Sequence, residues 1–212
     1  MTEFTTSCCG GFLWNRSNEQ MWVVPWGNNG VRVRITREAA FLDLPQGLLD
    51  NPPKSDEVLL DISESEVILT NGEITVKLEG NLGQLSFIRT SDNMLLLKER
   101  KKTTAEHYAR TFMPEKSAWR IDQRFFADDE EKFCGLGQRQ HGYLNQKGCT
   151  MDLMHRNSEV SIPFMISSKG YGFLWNHPGL GRVALGRNDT RWTADQAHQL
   201  DYYIVIDDTP GD

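Results

Sequence analysis

The residues of this chain that could do chemistry are concentrated in residues 133–178. Polar, aromatic and glycine residues occur at their highest density in this segment, and three of the five histidines of the chain lie there. We therefore expect any ligand site of this protein in residues 133–178.

The segment contains four side chains of the kinds that bind zinc, namely Cys134, His141, Cys149 and His155. Their spacing does not match a zinc site, because no Cys-x-x-Cys pair and no His-x-x-x-His pair is present. We expect no metal and no cofactor here, and we expect these residues to be buried thiols and hydrogen-bonded imidazoles.

Two shorter features of the segment have structural interpretations. Arg156, Asn157 and Glu159 fit a polar turn in which Arg156 and Glu159 pair with each other or with the edge of a sheet. Gly135 and Gly137 flank an apolar residue and no helix follows them, so tight strand turns explain them better than a phosphate-binding loop.

The elements that must position these residues have a period of two. Ile74, Val76 and Leu78 alternate with polar residues, and Val31, Val33 and Ile35 alternate with Arg32 and Arg34. This alternation predicts half-buried antiparallel strands at both places. Seven more strands are predicted at residues 58–62, 67–69, 85–89, 119–126, 162–167, 172–175 and 200–206.

Turn residues separate these strands. Asn71-Gly72 is expected to supply the positive φ angles of a tight hairpin, and Pro163 places a bulge or an edge within its strand. Almost no stretch has the period of a helix. Because a sheet with one apolar face must bury that face on another sheet, we predict an all-β fold, an antiparallel β-sandwich with few or no helices.

Composition excludes several classes of function. The formal net charge is −6, and the sequence lacks the clustered Lys and Arg that nucleic acid requires. No apolar run approaches the roughly 20 residues that span a bilayer, and no export signal is apparent. We expect no nucleic-acid partner, no membrane partner and a cytoplasmic location.

Three ordered strings in the last eighty or so residues resemble glycoside hydrolase family 31. FCGLGQRQHG (residues 133–142) resembles the family pattern F-x-G-L-G-E/Q. RNSEVSIPFMISSKGYGFLWNHP (residues 156–178) resembles the run N-x-x-x-x-I-P-F-x-x-S-x-x-G-Y-G of its N-terminal domain, and QLDYYIVIDDTP (residues 199–210) resembles the strand that leads out of that domain.

The resemblance implies a single N-terminal, galactose-mutarotase-like β-sandwich over residues 1–212. A catalytic (β/α)8 barrel is then expected downstream, with the two aspartates that hydrolyse α-xylosidic or α-glucosidic bonds with retention of configuration. The fragment itself is expected to be inactive, because neither aspartate lies in it. A helix-start pattern at residues 209–212 also favours a chain that continues.

The resemblance also implies that a loop of this domain reaches the sugar subsite of the barrel. Asn157, after Arg156, stands where the family commonly has an aspartate that contacts sugar hydroxyls. Since Asn offers a donor and an acceptor where Asp offers only acceptors, we expect weaker or differently selective sugar binding. Asn157, Arg156 and Glu159 are the predicted substrate-binding residues, and an oligosaccharide or α-glycoside is the predicted partner.

Two other functions stay open at this point. One is an aldose-mutarotase-like sugar epimerase, whose acid and base would come from His141, His155 and Glu159. The other is a stand-alone carbohydrate-binding module, although aromatic residues such as Trp175, Trp192, Tyr202 and Tyr203 are more often part of the core. We also expect an exposed apolar face that allows self-association into a homo-oligomer.

Overall fold

The computed structural model describes residues 2–7, 10–43, 47–48, 55–80, 82–100 and 109–207. Within them lie eighteen strands and no helix, so none of the described residues belongs to a helix that could cross a membrane. In chain order the strands are β1 (Thr2–Thr6), β2 (Phe12–Arg16), β3 (Glu19–Pro25), β4 (Gly30–Thr36), β5 (Val58–Ile62), β6 (Glu66–Asn71), β7 (Ile74–Glu79), β8 (Gln84–Arg89), β9 (Leu95–Lys98), β10 (Arg110–Glu115), β11 (Ala118–Phe126), β12 (Phe133–Gln138), β13 (Thr150–Leu153), β14 (Val160–Ser167), β15 (Tyr171–Trp175), β16 (Gly181–Leu185), β17 (Asp189–Ala197) and β18 (Gln199–Ile206).

The strands form three antiparallel sheets in a sandwich-like arrangement, which confirms the predicted fold class. The first sheet has eight strands in the order β1-β2-β3-β4-β18-β15-β14-β12. The second has five strands in the order β10-β11-β17-β16-β13, and the third has five in the order β5-β6-β7-β8-β9. The segment expected to hold the site therefore belongs to two sheets, with β12, β14 and β15 in the first and β13 in the second.

The core lies between the eight-stranded sheet and the two five-stranded sheets. Tyr202 on β18 packs edge-on against Phe87 of β8 and Phe125 of β11, at ring-centroid distances of 6.2 and 5.7 Å. Trp175 of β15 stacks on Trp192 of β17 at 6.0 Å. These buried rings join all three sheets, so Trp175, Trp192 and Tyr202 are core residues, as the prediction favoured.

The burial of Arg32 and Arg34 on β4 contradicts one prediction. The sequence predicts a half-buried strand with Arg32 and Arg34 in water, yet both are buried, with 5% and 6% of their surface exposed. Arg32 donates two hydrogen bonds to Asp201 at 3.0 and 2.6 Å, and Arg34 stacks on the Trp22 ring at 4.0 Å. A charge can be buried when it is paired, and alternation alone does not reveal the partner.

All nine predicted strands occur, at β4–β8, β11, β14, β15 and β18. The other nine described strands were missed; β9 and β13 have only four residues each, whereas β3 is a seven-residue, mostly apolar strand. β17 (DTRWTADQA) has only a short apolar alternation, at Trp192 and Ala194, although it pairs with both β11 and β16. The helix start expected at residues 209–212 lies outside the described residues.

Two turn predictions are refined by the structure. The loop of the β6–β7 hairpin is Gly72-Glu73 rather than Asn71-Gly72, and Gly72 has a φ of 58°. Asn71 instead ends β6, and its buried side chain donates to the backbone carbonyls of Gly27 and Gly30 at 2.7 Å each. Pro163 does lie in a bulged part of β14, as predicted.

Candidate functional site

The predicted site residues share one hairpin turn near β13 and β14. The backbone N–H groups of Arg156 and Glu159 each donate to the carbonyl of the other residue, at 3.3 and 3.1 Å, so Asn157 and Ser158 form a two-residue loop. We call residues 156–159 the site turn. Asn157 at its tip and Arg156 are exposed, and Glu159 is half-buried. The structure therefore brings the three predicted residues together on an open surface.

Asp152 of β13 holds the site turn through a contact with Arg156. Its carboxylate accepts a hydrogen bond from Arg156 Nη2 at 2.5 Å and another from Arg182 Nε of β16 at 2.9 Å. The hydrogen bond from Arg182 is the largest cause that holds the pKa of Asp152 below its usual value; burial acts in the opposite direction, and the hydrogen bond from Arg156 and the Coulombic attraction of both guanidinium groups add to the lowering. We call Asp152, Arg156 and Arg182 the Asp152 cluster.

The inner side of the site turn rests on Arg139, which follows β12. Its guanidinium donates to the backbone carbonyls of Leu136 and Asp152 and to Ser161 Oγ, at 3.1, 3.2 and 3.1 Å. Only 5% of the Arg139 side chain is exposed, and Glu159 lies 3.9 Å away. Arg139 thus links β12, β13 and β14 beneath the turn.

The pairing of β12 with β14 is irregular just before Arg139. Gly135, Leu136 and Gly137 all have positive φ angles of 102°, 66° and 87°, and the register with β14 shifts between the two glycines. A Cβ atom on Gly137 would lie 2.1 Å from the Val160 carbonyl oxygen, so only glycine fits there. The two glycines therefore lie within β12, opposite a bulge of β14, which corrects the prediction of tight turns between strands.

The histidines proposed as acid or base make local hydrogen bonds. His141 Nδ1 accepts from the Tyr143 backbone N–H at 3.1 Å and its ring stacks on that tyrosine, while His155 Nδ1 accepts from the Ser161 N–H at 3.3 Å. Cys134 and Cys149 are half-buried free thiols. In the described ranges, no group of three or more His, Cys, Asp or Glu side chains is placed to hold a metal ion.

Comparison with known protein families identifies the family of this chain. Residues 23–183, more than half of the chain, match the model of the glycosyl hydrolase 31 N-terminal galactose mutarotase-like domain. The chain belongs to glycoside hydrolase family 31. The matched range includes the irregular pairing of β12 with β14, the site turn and the Asp152 cluster, and it ends within β16.

Individual relatives agree with this family. The chain is 33% identical, over 92% of its length, to an uncharacterized family 31 glucosidase of Pseudescherichia vulneris, and 30% identical, again over 92%, to α-xylosidase A of Aspergillus niger. It covers 40% and 29% of those proteins. A family 31 α-xylosidase from a soil metagenome, solved with xylose, superposes with a TM-score of 0.90 at 36% identity, over 98% of this chain and 33% of that one.

This family 31 domain exposes apolar side chains on the elements next to the site turn. Val160 and Ile162 point outward from the start of β14, with 45% and 52% of their surface exposed. Leu180, which precedes β16, is 58% exposed, and Tyr143 on the loop after β12 is 64% exposed. Exposed large apolar side chains that form one patch are typical of a protein–protein or interdomain contact surface.

A second polar cluster of the domain lies far from the site turn and was not predicted. Arg110, the first residue of β10, donates to Glu19 at 2.9 Å, to Glu99 at 2.6 Å and to the backbone carbonyls of Leu82 and Gly83 at 3.0 and 3.1 Å. Glu99 also accepts from Gln123 Nε2 at 3.1 Å. We call Arg110, Glu19, Glu99 and Gln123 the Arg110 cluster.

Burial decides the electrostatics of the Arg110 cluster. Desolvation raises the pKa of the Glu99 carboxyl, against the opposite effect of Arg110. Desolvation lowers the pKa of the Arg110 guanidinium, but the carboxylates of Glu99 and Glu19 outweigh it and raise that pKa. The cluster borders a cavity of about 940 Å³ that none of the predicted site residues lines. Because every partner comes from a different part of the chain, no local sequence signal marks this cluster.

Proposed function

We propose that this domain is the non-catalytic N-terminal part, residues 1–212, of a retaining α-glycosidase that cleaves α-xylosidic or α-glucosidic bonds. A catalytic barrel downstream would supply the two reacting aspartates. The domain would pack on that barrel and lend the site turn to the sugar subsite. Its role is thus in carbohydrate metabolism, through an enzyme of which it forms one part.

The main support for the proposal is the structural similarity to the soil-metagenome α-xylosidase, with a TM-score of 0.90 at 36% sequence identity. This chain spans a third of that protein, so the relative has room for a further domain. Relatives of 30% and 32% identity, from Aspergillus niger and Saccharolobus solfataricus, are also named as α-xylosidases. An α-xyloside is therefore the first substrate to test.

The geometry of the site turn supports its part in the proposal. The Asn157 side chain stands at an exposed tip, where its amide can donate to one sugar hydroxyl and accept from another. The base of the turn is held by Arg139 and Asp152, so the tip projects from a supported hairpin. A binding group on a supported loop loses little conformational freedom when it meets a ligand.

The apolar surface near the turn supports packing on a second domain. Val160, Ile162, Leu180 and Tyr143 would leave water on docking, and each Å² of apolar surface so buried contributes about 25 cal/mol. Val160 directly follows the site turn, so a domain that covers the start of β14 would also face Asn157. This surface is also where self-association of the isolated chain is expected.

A hybrid enzyme tests the proposal. In the soil-metagenome α-xylosidase, the region that matches this chain is replaced by residues 1–212, and release of nitrophenol from aryl α-xyloside and α-glucoside is measured. We expect hydrolysis by the hybrid and none by the isolated chain. Hydrolysis by the isolated chain, or faster anomer interconversion than in buffer, would contradict the proposal, and tight sugar binding by the chain alone would favour a stand-alone binding module.

Asn157→Ala in the hybrid tests the site turn itself. We expect kcat/KM to fall about five- to thirtyfold, because the loss of one or two neutral hydrogen bonds costs about 1 kcal/mol each. Asn188→Ala is the matched control, since Asn188 is an exposed asparagine in the turn between β16 and β17. An equal effect of the two substitutions would remove Asn157 from the sugar subsite.

A further inference from the structure

The site turn has an unusual conformation for its sequence. Ser158 has a φ of 67° in a two-residue loop, a position where glycine or asparagine is normally found. The loop itself is closed by two backbone hydrogen bonds of 3.3 and 3.1 Å. A serine in this region is disfavoured, so contacts from outside the turn must help to keep the conformation.

Asp152 makes such contacts with three arginines, one in the site turn and two outside it. Its carboxylate joins Arg156 of the site turn, at 2.5 Å, to Arg182 of β16, at 2.9 Å. Its backbone carbonyl accepts from Arg139, at 3.2 Å, beneath the same turn. One residue of β13 thus connects the turn to the end of β12 and, through its register partner Arg182, to β16.

The ion pair with Asp152 also directs the guanidinium of Arg156. With Arg156 Nη2 bonded to the Asp152 carboxylate, its charge is paired with a residue outside the turn. The tip then presents the neutral amide of Asn157, which suits uncharged sugar hydroxyls. Without the carboxylate, Arg156 and Arg182 would face each other as like charges.

We propose that Asp152 is a positioning residue for sugar binding: through Arg156, and braced by Arg182, it fixes the site turn so that Asn157 meets the substrate. The inference rests on the proposed function of the turn and adds to it a residue outside the predicted set. Asp152 touches no substrate itself. Its loss acts on how well the substrate is bound and leaves the reacting groups unchanged.

The test uses the hybrid enzyme with Asp152→Asn, which keeps the size of the side chain and removes its charge. We expect KM for the aryl α-xyloside to rise about two- to fivefold, the range for exposed ion pairs, with kcat within about twofold of the parent. Asp152→Glu keeps the carboxylate and is expected to stay near the parent KM. Asp61→Asn on β5 is the matched control, because it removes an exposed charge from another sheet.

The isolated chain provides a readout that does not depend on catalysis. In Asp152→Asn we expect exchange of the Glu159 amide hydrogen, which donates to Arg156, to accelerate about two- to fivefold. The Val76 amide in the middle of the third sheet should keep its rate. A rise in KM together with faster exchange of the turn amide supports the inference.

The outcomes separate this inference from the function on which it rests. If Asn157→Ala impairs the hybrid while Asp152→Asn behaves like Asp61→Asn, Asp152 has no positioning role and the proposed function stands. A fall in kcat with an unchanged KM would also overturn the inference. If Asn157→Ala has no effect, the function proposed for the turn fails, and the role of Asp152 in sugar binding fails with it.

Discussion

The Arg110 cluster and the Asp152 cluster use the same chemistry in opposite surroundings. In the first, the side chains of Arg110 and Glu99 are 5% and 0% exposed. In the second, those of Asp152, Arg156 and Arg182 are 31%, 50% and 51% exposed. Both clusters place arginine against carboxylate within 3 Å, so the distances alone do not distinguish them.

Burial gives the two clusters different roles. Removing one partner of a buried pair leaves an uncompensated charge and costs about 3–5 kcal/mol, whereas an exposed pair contributes about 0.2–1 kcal/mol. The Arg110 cluster therefore concerns the stability of the domain. The Asp152 cluster contributes little to stability and instead sets the geometry of an exposed turn.

The largest effect is expected from Arg110→Met. The substitution leaves Glu99 buried without its cation, so we expect the free energy of unfolding to fall by about 3–5 kcal/mol, measured by urea unfolding with tryptophan fluorescence.

The double variant Arg110→Met with Glu99→Leu sharpens this result. It should recover part of the loss, because an apolar pair can replace a buried ion pair at little cost. A single variant that loses less than about 1 kcal/mol would show that burial does not separate the two clusters.

An intermediate effect is expected from Gly137→Ala, which disturbs the close pairing of β12 with β14 next to the site turn. The new Cβ would collide with the Val160 carbonyl at a φ of 87°, and we expect a loss of about 2–3 kcal/mol in the free energy of unfolding. Gly142→Ala is the matched control, because Gly142 has a φ of 70° with no atom within 4 Å of the new Cβ. It should lose only about 1 kcal/mol, and equal losses would argue against the close approach.

The smallest effect is expected from the charge of Asp152. Because its pKa is lowered in the folded protein, the stability it contributes is present above the ordinary aspartate pKa of about 3.9 and is lost as the pH falls through the folded value. The difference in unfolding free energy between the parent and Asp152→Asn should be about 0.2–1 kcal/mol at pH 7 and should vanish at low pH.

Other charged groups lie near Asp152 and can influence its titration. Arg156 and Arg182 contact its carboxylate, and Arg139, Glu159 and His155 lie on the elements beside it. Repeating the comparison in about 1 M salt should shrink the difference, since exposed charges are screened. A difference that grows toward low pH would contradict the lowered pKa.

The fold and the site differ in how much local sequence could predict. Alternation at Ile74, Val76 and Leu78 identified β7 and its buried face, because burial on one side of a strand repeats every second residue. The FCGLGQRQHG string pointed to the region of Arg139 without revealing that its glycines take positive φ angles opposite a bulge of β14. No local sequence pattern marked Asp152 and Arg182 as site residues. Their roles depend on the pairing of β13 with β16, and the paired residues Leu153 and Gly181 are 28 positions apart in the chain.

The sequence by itself determined which side chains of the alternating strands face inward, and its ordered strings identified the family. The tertiary structure decided which strands become neighbours, as when β4 pairs with β18 and Arg32 meets Asp201 across 169 residues. The reason is physical: local alternation selects the buried face of a strand, but its neighbours are selected by hydrogen bonds and packing between distant segments. The Arg110 cluster and the contacts that support the site turn both depend on such pairing between distant segments.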